Sequence, residues 1–236
     1  GLIKGDLSRA GIADRFAELN QLAGRLAKEA QEKADQKVLI AGSLPPLRGS
    51  FRPDRVGPRH EILPCYKVQA ALLAPFVDLF LCETMSSCDE ARAAAEGALA
   101  TGRPVWVSWT LHETLAGCLR STEPIPQAMD ALKDLSISGF LVNCCAPAAV
   151  TKAIPLMVNN TDQRVGGYAN TFHPIPADWR LDGEKSSDGL LQLRKDLGPD
   201  AYAVHARQWI DAGADIIGGC CGTGPLHISK LAGLIN

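Results

Sequence analysis

Six apolar runs punctuate the chain, at 38–43, 77–83, 104–110, 139–144, 164–170 and 214–219. Hydrophobic residues within them are nearly continuous rather than alternating. That suits parallel strands buried on both faces. The intervening stretches carry helical patterning. Ile12, Phe16, Leu19, Leu22 and Leu26 recur at helical spacing ahead of the first run. Ser87-Cys88-Asp89-Glu90 has the form of a capping box opening an Ala-rich helix, with Gly102 as its terminator. Further helices are predicted at 125–135, 148–158 and 200–212. The Pro-, Gly- and Arg-rich stretch 44–64 is predicted to be a loop, and 172–187, with little periodicity, an exposed loop.

Repeated strand–helix units predict an α/β fold, either a (βα)8 TIM barrel or a doubly wound open sheet. Polar or metal-capable residues close several runs: Ser43, Glu83, Asn143, Cys144, Asn170, Cys220 and Cys221. In a barrel all these ends ring one mouth, which favours the barrel.

The length, 236 residues, lies within the range of one such barrel, so a single domain over 1–236 is expected. A net charge of -2 without any Lys/Arg block argues against nucleic acid or an anionic membrane surface as partner. No apolar run approaches the roughly 20 residues of a membrane span, and no signal-peptide pattern is present. Eight cysteines in a chain this long do not resemble a secreted disulfide framework. They read as core thiols plus metal or catalytic thiols in a reducing compartment, hence a cytoplasmic location.

The chemistry concentrates in Val142-Asn143-Cys144 and Gly218-Gly219-Cys220-Cys221-Gly222-Thr223. Glycines free the backbone so that neighbouring cysteines can converge, which a regular strand forbids. Three thiolates from Cys144, Cys220 and Cys221 would leave a tetrahedral Zn²⁺ with an open position, the catalytic pattern. A substrate thiol entering that position loses its proton and becomes a nucleophile. It is suited to a methyl group on a sulfonium or quaternary ammonium donor. Other readings stay open: a redox-active vicinal dithiol, or a Gly-rich phosphate cradle. Cys65, Cys82, Cys88 and Cys118 are read as core residues. Cys145 is read as packing because alternation points it opposite Cys144, although spacing does not decide which of the two faces the mouth. Glu83 could bind an amino group or cap the next helix. Asn143 and Asn170 could orient polar substrate groups or satisfy loop backbone. His227, near a helix start, is read as structural.

These motifs, with Ala41-Gly42-Ser43-Leu44-Pro45-Pro46, Phe80-Leu81-Cys82-Glu83-Thr84 and Gly167-Tyr168-Ala169-Asn170, resemble the zinc-dependent homocysteine S-methyltransferase family, which includes betaine–homocysteine methyltransferase. The resemblance implies a (βα)8 barrel and Zn²⁺ on Cys144, Cys220 and Cys221. It also implies homocysteine as methyl acceptor, its sulfur the fourth ligand, and Glu83 on its amino group. On the reading of the residues themselves, Asn143 and Asn170 at their strand ends are expected to help shape the substrate pocket. The donor would be S-methylmethionine, S-adenosylmethionine or betaine. The family opens with an Asp-Gly-Gly strand and a second strand that find no match here, so a barrel truncated at its N-terminus, with six strands, is expected. Two open sheet edges would follow, favouring aggregation or completion by a partner, with a homo-oligomer as one possible form. A zinc-binding relative without turnover and a vicinal-dithiol oxidoreductase are the rival expectations.

Overall fold

All six apolar runs form strands of one parallel sheet in the computed structural model, which describes residues 2–180 and 189–235. They are β1 (Ala41–Leu44), β2 (Leu79–Met85), β3 (Val105–Trp109), β4 (Ile137–Asn143), β5 (Arg164–Tyr168) and β6 (Ile216–Ile217). Each pairs in parallel with the next, in the order β1-β2-β3-β4-β5-β6. No pairing joins β6 to β1 among the described residues, so the sheet stays open, as the expected six-stranded form of the barrel requires.

The helices are α1 (Lys4–Arg9), α2 (Phe16–Glu32), α3 (Arg59–Leu73), α4 (Cys88–Leu99), α5 (Ile125–Asp130), α6 (Pro147–Val158), α7 (Pro199–Asp211) and α8 (Pro225–Ala232). Of these, α3, α4, α6 and α7 pack against the strands, and α8 packs on α7. Phe80, Cys82, Val105, Val107, Val142 and Cys145 are buried in one core with the alanines of α4. Ser87 caps α4 by accepting from Glu90 N–H at 3.2 Å. Gly102, at φ 75°, lies just beyond its end.

Four expectations are corrected. The stretch 44–64 is not all loop, since α3 begins at Arg59 and carries Pro64 within it. Ile62, Tyr66, Gln69, Ala70 and Leu73 form its buried stripe, and burying them outweighs the hydrogen bond that Pro64 forgoes. The helix α2 forms, but Leu22 and Leu26 are 38% and 55% exposed. Asn20 and Gly24 are its buried residues, because Gly24 lets Phe76 approach so closely that a Cβ would sit 2.5 Å from the ring. Cys65 is exposed on α3 rather than in the core. The stretch 172–187 is not simply exposed: Ile175 and Trp179 are buried, and residues 181–187 of that loop lie outside the described residues. No helix among the described residues is long and apolar enough to cross a membrane.

Candidate metal centre

The C-terminal ends of β1, β2, β4 and β6 converge on one cavity of about 590 Å³, lined by Ser43, Glu83, Thr84, Cys144, Cys220 and Cys221. The backbone decides which cysteine after β4 enters it. Cys144 takes the left-handed conformation, φ 53°, uncommon for a residue with a side chain. Its N–H donates to Tyr168 O at 3.2 Å, and its carbonyl accepts from Thr110 Oγ1 at 3.3 Å. That turn sets Cys144 among Phe51, Ile175 and Trp179 at the mouth, while Cys145 packs in the main core.

The second and third sulfurs come from the stretch after β6. Gly218 N–H continues the ladder to Gly167 O, Cys220 N–H donates to Ala169 O, and Cys221 O accepts from Thr171 N–H. Tyr202 Oη clamps the same join, lying 3.0 Å from Ala169 O and 2.9 Å from Gly218 O. Thr223 Oγ1 donates to Cys220 O at 2.6 Å. Gly222 is required at φ 81°, where a Cβ would also collide with Thr171 Oγ1 at 2.1 Å. His227 is structural, its Nδ1 accepting from Gly224 N–H at the start of α8.

Cys144 Sγ lies 3.7 Å from Cys221 Sγ, and Cys220 Sγ 3.9 Å from Cys221 Sγ. All three sulfurs fall within 4.8 Å of one another. Tetrahedral Zn²⁺ with Zn–S of about 2.3 Å separates its sulfurs by about 3.8 Å, so this donor set fits the ion in kind and spacing. As bare thiols the three share protons. Cys221, accepting hydrogen bonds from Cys144 and Cys220, is pulled down to about 3, and Cys144, tied to both other sulfurs, is held far above the ordinary thiol range. Cys220 is raised as well, the bond from Cys144 being outweighed by Cys221 and burial, so the three sulfurs favour a single thiolate, on Cys221.

Glu83 is half-buried at the end of β2. One of its oxygens accepts from Ser43 Oγ, and the other accepts from Tyr168 Oη at 3.1 Å. It does not cap α4, which Ser87 does. Burial, followed by the charge of Glu83, raises Tyr168 well above the ordinary phenol, so it stays a donor. Asn143 is fully buried and bonded to β2, β3 and Cys220. Asn170 is buried too. Its Oδ1 accepts from Phe172 N–H at 3.1 Å, and its Nδ2 has no partner among the described residues.

Sequence reasoning missed the outer wall. Phe51 and Trp179 meet edge to face at 5.6 Å, and the Arg120 guanidinium lies 5.5 Å from the Phe51 ring centre. Arg120 also donates to Ile175 O and Pro176 O, pinning that loop over the cysteines. These residues lie in loops without periodicity, so no pattern marks them.

A sequence profile of homocysteine S-methyltransferase matches residues 3–235. The chain belongs to the homocysteine S-methyltransferase family. Relatives of this family member include the Escherichia coli K12 homocysteine S-methyltransferase, 29% identical over 168 residues, covering 68% of this chain and 49% of that protein. Methionine synthase of Mycobacterium tuberculosis is 26% identical over 237 residues, covering 95% of this chain and 18% of its own length. The chain thus spans about half the length or less of these curated relatives. The metallated form of the E. coli homocysteine methyltransferase MmuM shares the fold, with a TM-score of 0.77 at 22% identity, over 98% of this chain and 75% of that one.

Proposed function

We propose that this chain acts as one homocysteine-binding domain over 1–236 and transfers a methyl group to homocysteine, giving methionine. The observation that carries this reading is the meeting of three cysteine sulfurs, all within 4.8 Å, beside a carboxylate in one cavity. Cys144, Cys220 and Cys221 would hold Zn²⁺, which as a Lewis acid lowers the pKa of a bound thiol and presents a thiolate at neutral pH.

Glu83 takes the ammonium group of homocysteine. Ser43 and Tyr168 each donate to one of its oxygens, which orients the carboxylate. Phe51 and Trp179 line the outer side of the cavity beside Cys144. The methyl donor is a sulfonium or quaternary ammonium compound such as S-methylmethionine, S-adenosylmethionine or betaine. The new S–CH₃ bond forms as the donor's S–CH₃ or N–CH₃ bond breaks, and the electron pair of that bond neutralises the departing heteroatom. The acceptor proton has already left on formation of the thiolate. A reducing cytoplasm keeps the three thiols available for the metal.

The test is metal analysis of protein purified without chelator, combined with a methionine-formation assay over the three donors. One zinc per chain, lost on serine substitution of Cys144, Cys220 or Cys221, together with methionine from one donor, is expected. Zinc without methionine from any donor would leave a non-catalytic zinc protein. A reversible Cys220–Cys221 disulfide with no bound zinc would overturn the reading in favour of a dithiol oxidoreductase.

A further inference from the structure

Asn143, the last residue of β4, uses its whole carboxamide inside the protein. Its Oδ1 accepts from Thr84 N–H at 2.9 Å and from Ser108 Oγ at 2.7 Å. Its Nδ2 donates to Thr84 Oγ1 at 2.8 Å and lies 3.8 Å from Cys220 Sγ. A carboxamide offers two N–H groups and one oxygen with two lone pairs, so every capacity has a partner. The side chain is fully buried. It joins the end of β2, where Thr84 sits in left-handed backbone at φ 63°, to β3, β4 and one sulfur of the cluster.

The geometry points to Asn143 as a positioning residue that directs an N–H at the sulfur of Cys220 and so sets the charge on that one thiolate. This rests on the reading of the three cysteines as a metal site, and on neither the donor nor turnover. The residue that precedes Cys144 in sequence therefore serves a different sulfur, 77 positions further on. Among the described residues, Cys220 is the one cysteine of the three to which a side-chain amide is directed. Three thiolates around a divalent cation leave a net negative charge, and a substrate thiolate adds another. An N–H aimed at Cys220 draws density from its sulfur, stabilises the crowded anionic set and makes that sulfur the poorer nucleophile. The same amide fixes the peptide N–H of Thr84, next to Glu83, so the metal cluster and the ammonium-binding carboxylate share one anchor.

The test compares two variants with the unaltered chain. Asn143→Asp keeps an oxygen for Thr84 N–H and Ser108 Oγ but turns the donating edge into an anion facing Cys220. Ser108→Ala removes one bond of the same network and leaves the donor in place. Zinc affinity, measured by competition with a chromophoric chelator, is expected to fall roughly 10- to 100-fold in Asn143→Asp, the range for loss of a hydrogen-bonding partner to a metal ligand, and to hold in Ser108→Ala. Alkylation of Cys220 by iodoacetamide in protein kept saturated with zinc, followed by mass spectrometry, is expected to speed up in Asn143→Asp. Unchanged zinc affinity and alkylation rate in a folded Asn143→Asp would overturn the assignment.

If Asn143→Asp does not fold, the ¹¹³Cd-loaded unaltered chain decides. A cadmium scalar coupling to the side-chain amide protons of Asn143 is expected. Couplings to the Hβ protons of all three cysteines with none to Asn143 would overturn the assignment. A chain that binds neither zinc nor cadmium would fail the metal reading itself, a separate result.

Discussion

Ser43 and Tyr168 hold both oxygens of Glu83, so its carboxylate is an oriented anion before a substrate enters. Replacing it by Gln removes the charge and keeps the shape. A charge-assisted hydrogen bond is worth about 1.5–3 kcal/mol, so Glu83→Gln is expected to weaken homocysteine binding roughly tenfold to a hundredfold. Zinc content should be unchanged, because Glu83 is not a metal ligand in this reading. Calorimetric titration of zinc-loaded protein with homocysteine measures this, and unchanged affinity would remove Glu83 from the ammonium site. At this scale the cysteines were legible because adjacent thiols framed by glycines have few chemical uses. The choice between Cys144 and Cys145 was not legible. It depends on a left-handed residue with a side chain, which alternation does not foresee. The bonding of Asn143 was equally hidden, because its partners lie on β2 and β3 and beyond β6.

Among the elements, α4 shows how a readable cap can conceal a buried charge. Ser87 is the N-cap that the sequence predicts, but the Glu90 side chain accepts from Ser86 N–H at 2.8 Å and Ser86 Oγ at 2.7 Å rather than from the cap residue's own N–H. Glu90 is buried beneath the helix, and burial raises its pKa to about 7 despite those bonds. The folded chain therefore binds a proton between about pH 4.5 and 7 that the unfolded chain has released, so this residue lowers stability as pH rises through that window. The contribution is roughly 3 kcal/mol between the ends of the window. Urea midpoints should fall across it in the unaltered chain and flatten in Glu90→Gln. An equal slope in both would assign the pH dependence to other groups. The strands were read from the same kind of local signal, and all six formed: the inner four pair on both sides, and the edge strands β1 and β6 pair on one. For α2 the period was right and the buried face was not. A small residue beneath Phe76 outranked the leucine stripe, and a hydrophobicity pattern gives glycine no such weight.

Over the whole molecule, the three sulfurs tie the end of β4 to the end of β6, and β6 is the weakest join in the sheet. Its ladder with β5 is two residue pairs long, Gly166 with Ile216 and Gly167 with Ile217, extended by backbone bonds from Gly218 and Cys220 and by the Tyr202 clamp. A metal on Cys144, Cys220 and Cys221 would close the chain between residues 144 and 220 and fasten that edge. Because the unfolded chain cannot assemble the trio, binding adds to folding stability, by about 4 kcal/mol at a free metal concentration 1,000 times the dissociation constant. For a domain of this size that corresponds to a rise in Tm of roughly 10 °C. Chelator should reverse it, and Cys144→Ser should melt at one temperature with or without zinc. The local signature should be unequal. Amide exchange in 216–223 should slow more on zinc binding than exchange in β2 or β3, which are already fastened on both sides. A melting temperature indifferent to zinc, with uniform exchange along the sheet, would mean that the sulfurs gather without a metal and that Tyr202 and the backbone ladder alone hold β6 in place.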